Sequence, residues 1–226
     1  MSKGFLPPLD ERPAVTVDVV IFSLIADDLQ VLLVRRERPP FLGLWGIPGG
    51  FVFKDESLEH AAARKLQEET GVKDVYLEQL YTFGNPGRDP RTRVVTVAYF
   101  ALLPHNTIRD LDENAQWFSV KYLPELAFDH ADIVHYALTR LRYKLEYTTV
   151  GFQLLPDLFT LSELQKAYEI ILDERLDKRN FRRKILSAEI LQDSNKMKRD
   201  GEGRPARLYG YRDDAVTEVK SRRLFP

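Results

Sequence analysis

Apolar residues fall into two kinds of pattern along this chain. Val15 to Ile25 (VTVDVVIFSLI) and Gln30 to Arg35 (QVLLVR) are runs rich in β-branched residues, parted by Ala26, Asp27, Asp28 and Leu29, and they predict a hairpin. The first run is apolar enough to be a buried central strand. Asp74 to Phe83, Arg93 to Leu103 and Asn114 to Val120 predict further strands. Between them Leu58, Ala61, Ala62 and Leu66 recur at helical spacing, so a helix is expected from an N-cap at Ser57 to Thr70, with Gly71 as its left-handed stop. A second helix is predicted over Pro124 to Leu145, with Ile133, Ala137, Leu138 and Leu141 as its apolar stripe and Asp129 and His130 at its start. Strands, a helix, strands and a helix together make one α/β unit.

The pattern changes after residue 145. Glu146 to Leu158, with Thr148, Thr149, Gly151 and Pro156, reads as a linker. Thr160 to Leu172 predicts a helix that Thr160 and Glu163 open as a capping box. Asp177 to Leu186 predicts a short basic helix with Phe181, Ile185 and Leu186 turned inward, and the tight turn Asp173 to Leu176 gives the pair helix-turn-helix proportions. Beyond the apolar segment Ser187 to Leu191 the chain is polar and carries glycine, which predicts a β-wing with Lys198, Arg199, Arg204 and Arg207 at its tip. Two domains are expected, residues 1–150 and 151–226.

Composition adds exclusions. With 44% hydrophobic and 30% charged residues over 226 positions, the chain is neither disordered nor fibrous in type. Zero Cys excludes disulfides, cysteine zinc sites and thiol catalysis. No apolar run has membrane-spanning length, and the first 13 residues hold neither an apolar signal core nor a cleavage site, so no membrane partner and a cytoplasmic location are expected. The net charge of −1 hides an asymmetry: residues 1–150 carry 17 Lys+Arg against 21 Asp+Glu, and residues 151–226 carry 16 against 13. Lys178 to Arg212 alone holds 11 basic and 4 acidic residues, either a surface for a polyanion or a solvated charged face.

Chemistry concentrates between Gly50 and Val72. A glycine turn feeds a helix whose polar edge carries Glu56, Arg64, Glu68 and Glu69, and clustered carboxylates suit a hard divalent cation on a diphosphate. The preceding loop, Glu37 to Gly50, contains Trp45 and then Pro48, Gly49 and Gly50, a fixed turn where backbone can approach another group closely, with Trp45 packed beneath it.

Gly50, Glu56, Arg64, Leu66, Glu68, Glu69, Gly71 and Val72 match the spacing G-x5-E-x7-R-E-U-x-E-E-x-G-U at every fixed position except Lys65. The stretch resembles the Nudix box, which implies a Nudix α/β/α sandwich over roughly residues 12–146 and a ligand built on a nucleoside diphosphate. Gly84 to Arg93 and Leu126 to His130 resemble their counterparts in ADP-ribose-handling members. The second part is similar to the winged helix of the Nudix-related transcriptional regulators of NAD metabolism (NrtR type), on Phe159-Thr160-Leu161, the run Leu176 to Lys184, and Arg204-Pro205-Ala206-Arg207-Leu208-Tyr209. The fold implied is α/β, a Nudix sandwich followed by a winged helix-turn-helix domain.

That resemblance implies a DNA-binding regulator, a repressor of NAD-biosynthesis genes, acting as a homodimer on a palindromic double-stranded operator and sensing ADP-ribose or a similar compound. Arg36, Gly49, Gly50, Arg64, Arg88, Asp89, Arg91 and Arg93 are the expected ligand contacts, while Asp129 and His130 are either ribose contacts or plain helix-start residues. Lys178, Arg179, Asn180, Arg182, Arg183 and Lys184 are expected on the helix in the major groove, Asn180 and Arg182 reading bases, with Arg204 and Arg207 of the wing on the backbone or minor groove. Lys65 puts a fixed positive charge where the box has a glutamate, so no catalytic residue is expected among Glu56, Arg64, Lys65, Glu68 and Glu69. A cofactor is not required; Mg2+, on Glu68 and Glu69, enters only where hydrolysis is retained. An active ADP-ribose pyrophosphatase and a sugar-responsive Nudix regulator are the alternative readings.

Overall fold

The computed structural model describes residues 8, 11–73, 75–107, 111–199 and 205–212. They divide into two compact units, one drawn from Met1–Ile21, Val31–Ala101 and Arg109–His135, the other from Phe22–Gln30, Leu102–Ile108 and Tyr136–Pro226. The units interleave along the chain, so neither corresponds to a cut at one residue. Among the described residues no helix is long and apolar enough to cross a membrane.

A seven-stranded sheet is built from β1 (Ala14–Ile25), β2 (Asp28–Arg35), β3 (Trp45–Gly46), β4 (Gly49–Phe51), β5 (Tyr76–Phe83), β6 (Val94–Leu103) and β7 (Ala115–Ser119). Its main path runs β3-β2-β1-β6-β5, with β4 paired to β1 and β7 to β2. The expected central strand is central, since β1 lies between β2 and β6 and is buried from Val17 to Ser23. The hairpin turn is tighter than the four residues expected. Ala26 and Asp27 both adopt positive φ (49° and 64°), the two-residue geometry whose twist matches the flanking strands, and β2 therefore starts at Asp28.

Helix α1 (Leu58–Thr70) follows the expectation at both ends: the Ser57 side chain accepts the His60 N–H, and Gly71 stops it at φ 69°. Ala61, Ala62, Leu66 and Thr70 form its buried face, with Leu58 only half-buried. Helix α2 (His130–Tyr147) begins six residues later than expected. Leu126 bridges to Trp45, the Ala127 N–H donates to the Trp45 carbonyl at 2.8 Å, and Phe128 takes φ 55°, so pairing with a distant segment overrides the helical pattern there.

In the second unit the stretch expected to be a linker holds a 3-10 segment, Val150–Leu154, whose Val150, Gly151, Phe152 and Leu154 are buried. A Cβ at Gly151 would come within 2.6 Å of Leu145, so this stretch is core. Helix α3 (Leu161–Leu172) opens on the expected capping box, and α4 (Lys178–Ser187) opens on Asp177, whose side chain accepts the Asn180 N–H at 2.7 Å. The turn between them is locked by Asp173 at φ 59° and by Gln165 and Glu169, which bond the Leu176 carbonyl and N–H at 2.9 Å each. Phe181 and Ile185 are buried, Phe181 meeting Tyr168 edge-on at 5.6 Å, whereas Leu186 is outward and 48% exposed. One step along a helix is about 100°, and that rotation carries Leu186 past the buried edge set by Phe181 and Ile185. Strands β9 (Leu191–Lys198) and β10 (Ala206–Tyr211) form the wing and pair with β8 (Phe159–Thr160) in the order β8-β10-β9.

Candidate functional site

On α1 the charged residues are paired among themselves. Arg64 grips Glu56 with two bonds, at 2.7 and 3.1 Å, donates to Glu68 at 3.2 Å and to the Phe51 carbonyl at 3.3 Å, and lies 4.3 Å over the Phe53 ring. Glu56 also accepts the Phe53 N–H at 2.7 Å, so the Arg64 bond and this N–H hold its carboxyl below the usual range. The Lys65 ammonium stands 2.6 Å from the other oxygen of Glu68, and not on Glu69, the residue one helical turn away. Its chain crosses Gly50, where a Cβ would come within 2.5 Å of the Lys65 Cε. Burial alone would raise Glu68, but Lys65 and Arg64 together keep it below its ordinary value. Glu69 is raised by burial, with Asp112 and Glu68 adding to the effect against Lys65.

This donor set does not fit a divalent cation. Glu56 is spoken for by Arg64, Glu68 lies between two cations, and burial disfavours the charged form of Glu69. Among the described residues no group of three or more His, Cys, Asp or Glu side chains is arranged to hold a metal.

A cavity of about 220 Å³ is lined by Thr16, Asp18, Arg36, Gly49, Gly50 and Phe51 together with Arg88, Asp89, Arg91, Phe128 and His130. Gly49 pairs with Asp18 across β4 and β1, and a Cβ there would fall on the Asp18 carboxylate and lie 2.8 Å from the Val17 carbonyl. Arg88, 4% exposed, donates two bonds to Asp129 (2.7 and 2.9 Å) and one to Asp18 (3.3 Å). Asp89 accepts from Arg91 at 2.7 and 3.0 Å. The Nδ1 of His130 accepts the Ile47 N–H at 3.0 Å, so the ring proton is on Nε2, which faces Asp18 at 3.9 Å. Burial lowers the His130 pKa and keeps the ring neutral.

Arg36 differs from its neighbours. Its guanidinium bonds only the carbonyls of Pro40 (2.9 Å) and Arg38 (3.3 Å), stacks 4.6 Å over Phe128, and makes no ion pair among the described residues. Burial and the nearby charge of Arg91 lower its pKa, against the opposing pull of Asp89 and Asp18.

Of the expected ligand contacts, Arg36, Gly49, Gly50, Arg88, Asp89, Arg91 and His130 line this cavity. Asp129 adjoins it through Arg88; Arg64 is committed to α1, and Arg93, bonded to the Val94 carbonyl, lies off the lining. Asp18, Phe51 and Phe128 are lining residues that sequence reasoning missed. Asp18 carried a signal, a lone acid within the apolar run VTVDVVIFSLI.

In the second unit α4 presents Lys178, Arg179 and Arg183 as exposed side chains. Asn180 and Arg182, the expected base readers, are engaged: the Asn180 side chain accepts from Arg183 at 2.8 Å, and Arg182 turns back to the Ser162 hydroxyl at 3.2 Å. Lys184 is half-buried. In the wing Arg207 pairs with Asp193 and Lys198 with Glu163, each at 2.6 Å, while Arg204 lies outside the described residues.

The NUDIX domain family matches residues 14–137, and the family described as the NrtR DNA-binding winged helix domain matches residues 151–211. The chain is 41% identical over 206 residues to the ADPR responsive transcriptional repressor NtrR of Acinetobacter baylyi, across 88% of this chain and 82% of that one. The chain belongs to the NrtR family. Within that family it is similar to Shewanella oneidensis NrtR complexed with a 27mer DNA, with a TM-score of 0.82 and 38% identity over 91% of this chain and 99% of that one. The NUDIX domain of the same Shewanella NrtR, complexed with ADP ribose, matches 61% of this chain and 94% of its own at 42% identity and a TM-score of 0.53.

Proposed function

We propose that this protein is a DNA-binding transcriptional repressor whose Nudix domain receives ADP-ribose, or a closely related nucleoside diphosphate, without hydrolysing it. The observation that carries the non-hydrolysing part is Lys65, whose ammonium 2.6 Å from Glu68 takes the place a metal would need. Mg2+ has no role in binding under this reading. The diphosphate is met by Arg36, the lining cation that makes no ion pair among the described residues, and by the cavity face at the Gly49–Gly50 turn. The similarity to relatives solved with DNA and with ADP ribose supports both partners.

DNA is held by α4 and the wing, with Lys178, Arg179 and Arg183 as the exposed cations for the phosphates. A symmetric dimer places two such helices about one DNA turn apart, which calls for a palindromic operator near genes of NAD biosynthesis in the cytoplasm. The test is a mobility shift with duplexes selected from a random pool, run with and without ADP-ribose, beside an assay for AMP release in magnesium. Retarded palindromic DNA released by ADP-ribose, with no AMP formed at enzymatic rates, is expected. Rapid AMP formation together with indifference to duplex DNA would reject the proposal.

A further inference from the structure

The last turn of α4 directs a leucine outward. Leu186 is 48% exposed, away from the side on which Phe181 and Ile185 are buried. At about 100° per residue, Arg179, Arg183 and Leu186 fall within an arc of about 60°, so the leucine shares one face with two exposed cations. The turn that carries it is closed, because the Ala188 N–H and the Ser187 hydroxyl both donate to the Lys184 carbonyl, at 3.1 and 2.9 Å. Helix geometry therefore fixes Leu186 on that face.

The side chains of α4 suited to reading bases by hydrogen bonds are engaged within the protein. Asn180 accepts from Arg183 at 2.8 Å, and Arg182 donates to the Ser162 hydroxyl at 3.2 Å. The outward face is left with positive charge and one aliphatic group. Cations are drawn to phosphates, whereas a leucine gains nothing from them. The apolar group that the major groove offers is the C5 methyl of thymine, which distinguishes that base by contact alone. We propose that Leu186 is a specificity-determining residue that reads the methyl group of a thymine in the major groove, one in each half-site. This rests on the DNA-binding reading given above and deepens it, since it assigns a base preference to a helix whose exposed cations carry none.

The test uses the full chain and a duplex selected from a random pool, with each thymine replaced in turn by deoxyuridine, which removes the methyl and keeps the base pair. In mobility shifts the parent is expected to lose about fourfold in affinity at one thymine of each half-site, the worth of one buried carbon. Leu186→Ala should bind the unmodified duplex at least about fourfold more weakly and be indifferent to deoxyuridine at that position. Its salt slope should match the parent's, because no cation is lost, and its ADP-ribose affinity should be unchanged. A variant still sensitive to that methyl overturns the assignment, as does a parent indifferent to every replacement. A variant that sediments as a monomer where the parent is a dimer gives Leu186 to the contact between copies and also overturns it. A parent that retards no duplex sinks the DNA-binding reading and this inference together, whereas retarded DNA without methyl dependence sinks this inference alone.

Discussion

Lys65 and Glu68 stand 2.6 Å apart on α1, so this helix neutralises one of its clustered carboxylates with a cation of its own. The glycine at position 50 makes the arrangement possible, because the lysine chain lies against it.

Replacing that cation should change the chemistry of the helix. Lys65→Glu removes one positive charge and adds a negative one beside Glu68, which is 45% exposed, so screening reduces the gain to about 1–2 kcal/mol of metal affinity. Calorimetric titration with Mn2+ is expected to reveal binding that the parent lacks. Indistinguishable titrations would refute the role given to Lys65.

Arg36 should matter for the effector and little for the fold. Arg36→Gln is expected to weaken ADP-ribose binding by about 1.5–3 kcal/mol, the worth of a charge-assisted hydrogen bond, with unfolding free energy nearly unchanged. Undiminished affinity would move the phosphates elsewhere.

Arg88 should behave in the opposite way. Arg88→Met leaves the buried Asp18 and the partly buried Asp129 without their cation, and loss of one partner of a buried pair costs about 3–5 kcal/mol. Denaturant unfolding measures this, and a loss below about 1 kcal/mol would show that the pair is not structural.

His130 predicts a pH dependence. Its folded pKa is depressed by burial from the ordinary 6.5, so the unfolded chain binds the proton first and stability falls as the pH drops below about 6.5 toward the folded value. The slope from this one group is at most about 1.4 kcal/mol per pH unit. Glu56, Glu68 and Asp89 are depressed carboxylates, and their contributions are lost only in a lower window, as the pH falls from the ordinary carboxylate values through their folded ones. Unfolding curves at pH 7.5 and 5.5 for the parent and for His130→Gln should differ in slope. Parallel pH profiles would contradict the assignment.

For DNA, Arg179→Ala with Arg183→Ala should weaken binding across sequences and reduce the salt slope by about two, one for each phosphate left without its cation. Arg182→Ala, which removes a side chain held by Ser162, should have the smaller effect. Equal effects would return Arg182 to the DNA-facing surface.

The chain by itself determined what nearest neighbours can determine. The caps at Ser57 and Thr160, the stop at Gly71, the β1–β2 hairpin, the turn between α3 and α4 and the spacing of the Nudix box all follow from residues a few positions apart, where period and side-chain reach leave few choices. Tertiary structure alone decided which charges meet. Arg88 finds Asp129 and Asp18 across 41 and 70 residues, Arg182 finds Ser162 across 20, and Trp45 holds Leu126 and Ala127 out of the helix their pattern suggested. Lys65 took Glu68 over Glu69, its next neighbour on the same helix, because Gly50 left a path for its chain on that side. Local periodicity says which face a side chain is on; which partner it meets depends on what the rest of the fold brings to that face.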